Sequence, residues 1–210
     1  MNAIILAAGE GRRLMPLTEK MPKALISIRG IPLLKNHIDK LLDAGFKQIA
    51  VTCYSHAEQI ASFVKHNYLA NDILISRESE LLGTGGGIKQ AMGLMEGAEF
   101  LIINADVFSN IDYSELRKNT APMVFAVQQG NGDFGIIDNK VNTDEEANYT
   151  FTGISIINKE LVNAVNQTKF DYWKDLLKPL AQEGNLNAEI ISSNWYDVGT
   201  IEVLEKLNHE

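Results

Sequence analysis

The chain has 210 residues, 45% of them hydrophobic, which is enough for one substantial core and too few for two comfortable domains. Its net charge of −8 disfavours a broad nucleic-acid-binding or anionic-membrane surface. A single cysteine, Cys53, excludes an internal disulfide and fits a reducing compartment. The charge is unevenly spread. Residues 1–30 hold Arg12, Arg13, Lys20, Lys23 and Arg29 against Glu10 and Glu19, a local +3, so the remainder carries −11. Positive charge gathered in one short segment of an acidic chain suits a small anionic ligand. The six apolar residues from Ala3 to Ala8 follow no basic residue and are too few for a signal peptide or a membrane span, so a cytoplasmic location is expected.

Ala3–Leu6 reads as a buried strand, and Gly9 and Gly11 begin where it ends. In open α/β sheets that carboxyl edge is where ligands bind. Glycines let backbone N–H groups approach an anion, the nearby cations neutralise it, and small Ala7 and Ala8 leave room for a flat base. A dinucleotide fingerprint would need a third glycine where Leu14 stands, and Pro16 interrupts the helix it requires. No Gly-Lys-Ser/Thr occurs, which excludes a Walker A loop. An ordinary turn with a solvated charge cluster is the remaining plain alternative.

Further along, Leu33, Leu34, Ile38, Leu41 and Leu42 mark one helix face after Pro32, stopped by Gly45. Strands are expected at Ile49–Cys53, Ile73–Ile75 and Phe100–Ile103, with helices at Ala57–Val64 and Gly87–Met95. Four strands alternating with helices indicate a parallel sheet with right-handed crossovers. His37, His56 and His66 show no metal-ligand spacing and read as packing or surface residues. The stretch from Glu78 to Gly87 is a second glycine-rich segment. As a flexible turn it would use Thr84 as an N-cap, but three consecutive glycines also strip the side chains from one wall of a crevice, where something flat can lie. Asn104-Ala105-Asp106 ends the fourth strand with a carboxylate at the ligand edge. Beyond it the pattern turns β-rich, with strands at Met123–Gln128 and Tyr149–Ile157, a turn at Gln129–Asp133, and a final helix from Thr200 to Leu207.

Taken whole, Leu6–Leu25 resembles the signature of the sugar-1-phosphate nucleotidyltransferases, L-A-A-G-x-G-x-R-L-x-P-L-T-x-x-x-P-K-x-L, and matches every fixed position. Arg12 stands where many members carry Ser or Thr. Trp195–Thr200 is similar to the family's W-x-D-V-G-T motif, and Phe134-Gly135-Ile136-Ile137 to its aromatic-Gly-Val-Val element. The resemblance implies an α/β, Rossmann-like three-layer fold with a mostly parallel central sheet and a β-rich sugar-binding insertion. It would be one domain, with a nucleotide-binding part at about 1–106 and a sugar-binding part at about 107–199.

The same resemblance implies site residues. Leu6, Ala7, Ala8, Gly9, Gly11, Arg12, Arg13 and Lys23 would take the nucleotide from the first loop. Glu78, Gly83, Thr84, Gly85 and Asn104 would complete its pocket. Asp106, Gly135, Thr152, Gly153 and Asp197 would meet the sugar phosphate. Arg13, Lys23, Asp106 and Asp197 are the implied catalytic set. Two converging carboxylates repel each other without a cation, and oxygen donors of this kind suit Mg²⁺, so Asp106 and Asp197 are paired on one magnesium.

The implied reaction transfers a nucleoside monophosphate from NTP to a sugar 1-phosphate, releasing pyrophosphate. The expected partners are these two small molecules, with no nucleic acid and no membrane, and the protein a monomer or homodimer. The Thr84–Gly87 run, Phe151–Ser155 and the compact length look most like the uridylyltransferases for N-acetylmuramic acid α-1-phosphate of cell-wall recycling. Leu81 and Gly83 depart from that branch. Glu78 with Leu82-Gly83-Thr84 also resembles the guanylyltransferases for mannose or heptose 1-phosphate. The Val-Glu-Lys-Pro motif of hexose-specific branches is missing, since polar Asn142–Asn148 follow Lys140-Val141, which counts against a glucose-type thymidylyl- or uridylyltransferase. A non-catalytic nucleotide-sugar-binding regulatory subunit would show loss of Lys23, Asp106 or Asp197, and all three are present.

Overall fold

The computed structural model describes residues 1–69, 72–129, 132–144 and 146–209, and for Asp72 the backbone only. Gly130 and Asn131 of the expected Gln129–Asp133 turn lie outside the described residues. The strands are β1 (Asn2–Leu6), β2 (Ser27–Ile28), β3 (Ile31–Pro32), β4 (Gln48–Cys53), β5 (Asp72–Arg77), β6 (Glu99–Asn104), β7 (Val107–Ser109), β8 (Met123–Gln128), β9 (Gly135–Ile137), β10 (Lys140–Asn142), β11 (Tyr149–Asn158), β12 (Asn187–Ile190) and β13 (Trp195–Asp197). The helices are α1 (Leu17–Lys20), α2 (Leu33–Asp43), α3 (Ala57–Asn67), α4 (Gly83–Gly93), α5 (Tyr113–Leu116), α6 (Lys159–Ala164), α7 (Lys178–Gln182) and α8 (Ile201–His209), with a π-helical turn at Trp173–Leu177 before α7.

Among the described residues, nine strands form one sheet in the order β5-β4-β1-β6-β11-β8-β12-β10-β9. Its first four are parallel, joined by α2, α3 and α4, as the strand–helix alternation requires. β11 is antiparallel to both β6 and β8, and only β8 and β12 run parallel in the second half. Period-two alternation divides the side chains between two layers. Ala3, Ile5, Ile49, Val51, Leu101 and Ile103 pack under α2 and α3, while Ile4, Ala50, Phe100 and Ile102 pack under α4, α6 and α7. The fold is therefore the expected three-layer α/β arrangement. Among the described residues no helix is long and apolar enough to cross a membrane.

A third apolar cluster lies off the sheet. The β2–β3 hairpin turns at Arg29 and Gly30, whose φ values of 51 and 80 place both in the left-handed region that a two-residue hairpin needs. Ile26, Ile28 and Leu33 from this corner meet Leu14, Val198, Leu204 and Leu207. Arg29 seals the contact, donating from Nε to the Leu207 carbonyl at 3.0 Å. The C-terminal helix is thus held against the loop that follows β1.

Candidate active site

From β1 the chain builds outward to β4 and β5, then crosses to place β6 on the other side of β1. Loops leaving β1 and β6 consequently diverge, and the crevice between them is the topological switch point of the sheet. Leu6 is in register with Asn104 on one side and Thr52 on the other. A cavity of about 250 Å³ opens there, lined by Leu6, Ala8, Gly9, Thr52, Glu78, Leu81, Gly83, Thr84, Gly87, Asn104 and Asp106. A smaller recess beside it is lined by Ala7, Lys23, Ala24 and Ala105 among others.

The first loop is folded back on itself. Gly11 has φ +64, and a Cβ there would lie 2.8 Å from the Thr18 methyl and 3.1 Å from Lys23 Cβ, so only glycine fits. The Thr18 hydroxyl donates to the Gly11 carbonyl at 2.9 Å, and buried Leu14 anchors the loop in the third cluster. Arg12 turns outward to Glu10 at 2.7 Å. Arg13 instead lies across the backbone of Gly199, where a Cβ would sit 2.7 Å from its Nη2, and reaches Asp197 at 3.6 Å.

Asp106 and Asp197 converge through a small ribbon. β13 pairs antiparallel with β7, Asp197 opposite Val107, and the Val198 N–H donates to the Asp106 carbonyl at 2.9 Å. Trp195 ties the ribbon to the main sheet, its Nε1–H donating to the Thr152 carbonyl at 2.9 Å. Lys23 Nζ sits between the two carboxylates, 2.5 Å from Asp106 Oδ2 and 4.0 Å from Asp197 Oδ1. Among the described residues no three or more metal-ligating side chains cluster. Two carboxylates directed at one cationic position nonetheless fit Mg²⁺, which takes one or two carboxylates and completes its shell from phosphates and water.

The second glycine segment differs from expectation. α4 begins at Gly83, not Gly87, so the glycines form its first turns instead of an open wall. Their small size serves helix packing as much as the cavity. A Cβ on Gly85 would lie 2.1 Å from the Phe170 ring, and one on Gly86 would lie 2.4 Å from the Thr168 carbonyl oxygen. Gly85 therefore faces Phe170 and is not among the residues lining the cavity. The Phe170 carbonyl also accepts from the Gly85 and Gly86 N–H groups at 3.1 and 3.4 Å, which leaves those donors unavailable to a phosphate. Thr84 is no N-cap; its hydroxyl accepts from the Tyr172 N–H at 2.9 Å. Gly87 does face the cavity side, and a Cβ there would lie 2.7 Å from Glu78 Oε1. Glu78 is 5% exposed, and burial raises its carboxyl pKa although the Leu82 N–H donates to Oε2 at 3.0 Å.

On the sugar side the expectations divide. Gly153 has φ +75 at a bulge in β11, and the Asn104 side chain lies against it, within 2.6 Å of where a Cβ would stand. Thr152 is fully buried, and its hydroxyl donates to the Phe125 carbonyl at 2.6 Å beside the bulge. Gly135 lies on β9, at the far end of the sheet order, and lines neither recess. Sequence reasoning missed Thr52, whose hydroxyl accepts from the Ala7 N–H at 3.2 Å at the cavity floor. A polar residue following the apolar run Ile49–Val51 was the available signal. It also missed Phe170 and Tyr172, for which no local signal exists.

Two buried groups complete the surroundings. Burial pushes the Cys53 thiol up to about 11, which leaves it inert. His37 is 1% exposed, and burial, with Lys40 nearby, lowers its pKa to about 4.

The chain is similar to known proteins along nearly its whole length. Residues 2–210 match the family model described as Nucleotidyl transferase. The chain is 29% identical over 217 residues to N-acetylmuramate alpha-1-phosphate uridylyltransferase of Neisseria meningitidis serogroup B, covering 96% of this chain and 94% of that protein. It is 34% identical over 146 residues to D-glycero-alpha-D-manno-heptose 1-phosphate guanylyltransferase of Campylobacter jejuni, covering 70% of this chain and 65% of the other. The crystal structure of HddC from Yersinia pseudotuberculosis complexed with GMP-PN superposes with a TM-score of 0.85 at 26% identity, covering 99% and 98% of the two chains. A glycine loop at the switch point, paired carboxylates across a lysine, and a family match over nearly the whole chain make this protein a member of the sugar-1-phosphate nucleotidyltransferase family.

Proposed function

We propose that the protein transfers a uridylyl group from UTP to N-acetylmuramic acid α-1-phosphate, giving UDP-N-acetylmuramic acid and pyrophosphate. The observation that carries the reaction class is the Lys23 ammonium between Asp106 and Asp197 at the mouth of the cavity, with Arg13 beside Asp197. The near full-length similarity to the Neisseria uridylyltransferase supports the choice of substrates.

A sugar phosphate is already ionised near neutral pH, so no general base is needed. Its phosphate oxygen attacks the α-phosphorus, the bond from that phosphorus to the oxygen bridging to the β-phosphate breaks, and pyrophosphate leaves. Positioning and charge neutralisation then supply the catalysis. Lys23 and Arg13 would neutralise the triphosphate, and the small side of Ala8 and Gly9 would admit it. Asp106 and Asp197 would hold Mg²⁺, which when bound withdraws charge from the reacting phosphates. A cytoplasmic site, where nucleoside triphosphates are made, suits the reaction.

A second reading rests on Glu78. A buried carboxylate is an acceptor, and guanine offers two adjacent donors on its Watson–Crick edge, whereas uracil offers one flanked by acceptors. The Campylobacter relative is a guanylyltransferase, and HddC was solved with GMP-PN. Pyrophosphate release measured for each common nucleoside triphosphate with each of N-acetylmuramic acid, mannose, heptose and glucose 1-phosphate, with Mg²⁺, decides between them. Turnover with UTP and the muramic acid phosphate alone supports the first reading, and turnover with GTP replaces it by the second. No pyrophosphate with any pair sinks both and leaves a binding subunit.

A further inference from the structure

The turn between β6 and β7 that carries Asp106 into the site rests on a buried polar cluster that the reaction itself does not use. His37 on α2 and Tyr113 at the start of α5 are each 1% exposed. Their rings are parallel to within 7°, with centroids 6.3 Å apart, and His37 Nδ1 pairs with the Tyr113 hydroxyl at 2.7 Å. Tyr113 packs in one buried cluster with Ala105 and Val107, the two residues flanking Asp106, and the imidazole lies beside their backbone. One turn further along α2, Lys40 donates from Nζ to the Ser109 carbonyl, at the other end of β7, and stands 5.8 Å over the Tyr113 ring. The cluster thus touches the backbone on both sides of Asp106 and at the end of the strand, while the Asp106 side chain points away from it to Lys23.

Packing alone does not explain these residue types. A pair of apolar side chains would fill the same volume without the cost of burying an imidazole and a phenol, a cost only partly offset by the hydrogen bond between them. His37 Nε2 remains buried with no hydrogen-bond partner among the described residues. What the polar pair adds is direction, because a ring held by both a stack and a hydrogen bond has one orientation. A backbone resting on that ring is held to one position as well.

Resting on the assignment of Asp106 to the reacting phosphates, we propose that His37, locked by Tyr113, is a positioning residue that fixes the Ala105–Val107 backbone and so sets the reach of the Asp106 carboxylate. Because β13 pairs with β7, the same support sets Asp197 relative to Asp106.

The test uses the full chain with His37→Phe, Tyr113→Phe, the double variant and His37→Asn, whose short amide can restore a polar partner to the Tyr113 hydroxyl. The first readout is amide hydrogen exchange followed by mass spectrometry. The expected result is exchange about tenfold faster in peptides spanning residues 105–109 and 195–198 in both single variants, with the β4 and α4 peptides unchanged. The second readout is kinetic. We expect kcat to fall about tenfold in each single variant with KM for the nucleoside triphosphate unchanged, the double variant to be no worse than the singles, and His37→Asn to recover part of the loss. Unchanged exchange in residues 105–109 overturns the proposal, as does a lowered melting temperature with kcat intact. A wild type without transferase activity would sink the functional reading, while the exchange measurement would still decide the positioning role.

Discussion

Lys23 Nζ lies 2.5 Å from Asp106 Oδ2, although the two residues are 83 positions apart in the chain. The Lys23 side chain is only 12% exposed, so this contact is far less screened than the surface pairs of Arg12 with Glu10 or Lys118 with Glu115. It joins the loop after β1 to the loop after β6 across the switch point.

Replacing Lys23 by Ala should lower kcat about 10²- to 10³-fold, since on the proposed function it removes a positioned cation from the reacting phosphates. Lys23→Arg should recover little of it, because the recess that Lys23 lines with Ala24 and Ala105 is small and a planar guanidinium is bulkier than an ammonium. Steady-state kinetics with melting curves check both. A folded Lys23→Ala protein with wild-type turnover would show the lysine to be a structural counter-ion alone.

The paired carboxylates predict strong non-additivity. Asp106→Asn and Asp197→Asn should each cost about 10²-fold or more in turnover, and the double variant little more than either alone. Added magnesium should rescue a single variant partly and the double one less. A cycle in which the two losses multiply would show that the aspartates act independently.

Gly85 and Gly87 should behave oppositely despite lying two residues apart. Gly85→Val drives a side chain into the Phe170 ring and should destabilise the fold by about 3 kcal/mol, relieved in part by Phe170→Ala. Gly87→Ala gains helix propensity but pushes on Glu78 Oε1, so the melting temperature should hold or rise while nucleotide affinity falls about tenfold. Calorimetric nucleotide titration beside a melting curve separates the two. A destabilised Gly87→Ala protein with intact affinity would remove Gly87 and Glu78 from the pocket.

His37 makes stability depend on pH in a defined direction. Its pKa falls from 6.5 to about 4 on folding, so between those values the unfolded chain binds a proton that the folded chain excludes. Stability is therefore complete above pH 6.5 and declines as the pH drops towards 4, by roughly 3 kcal/mol from this group. In His37→Phe that component should vanish, flattening the unfolding free energy measured by denaturant between pH 6.5 and 4. An unaltered slope would mean that His37 titrates normally.

Short-range patterns determined much of this protein by themselves. Apolar runs bounded by turn residues located β1, β4, β5 and β6, and their alternation with helices dictated the parallel half of the sheet, because a parallel crossover needs a helix between strands. The resemblance of Leu6–Leu25 and Trp195–Thr200 to the family's motifs singled out Lys23, Arg13 and Asp197, because those motifs are contiguous in the chain. Other features were decided only by the tertiary structure. The role of Gly85 depends on Phe170, the burial of Thr152 on β8, and the support of Asp106 on His37 and Tyr113. Each is set by a partner distant in sequence. Chain patterns report the periodicity of a segment and the chemistry of its side chains, whereas which group a glycine or hydroxyl meets follows from how the helix and sheet layers pack together.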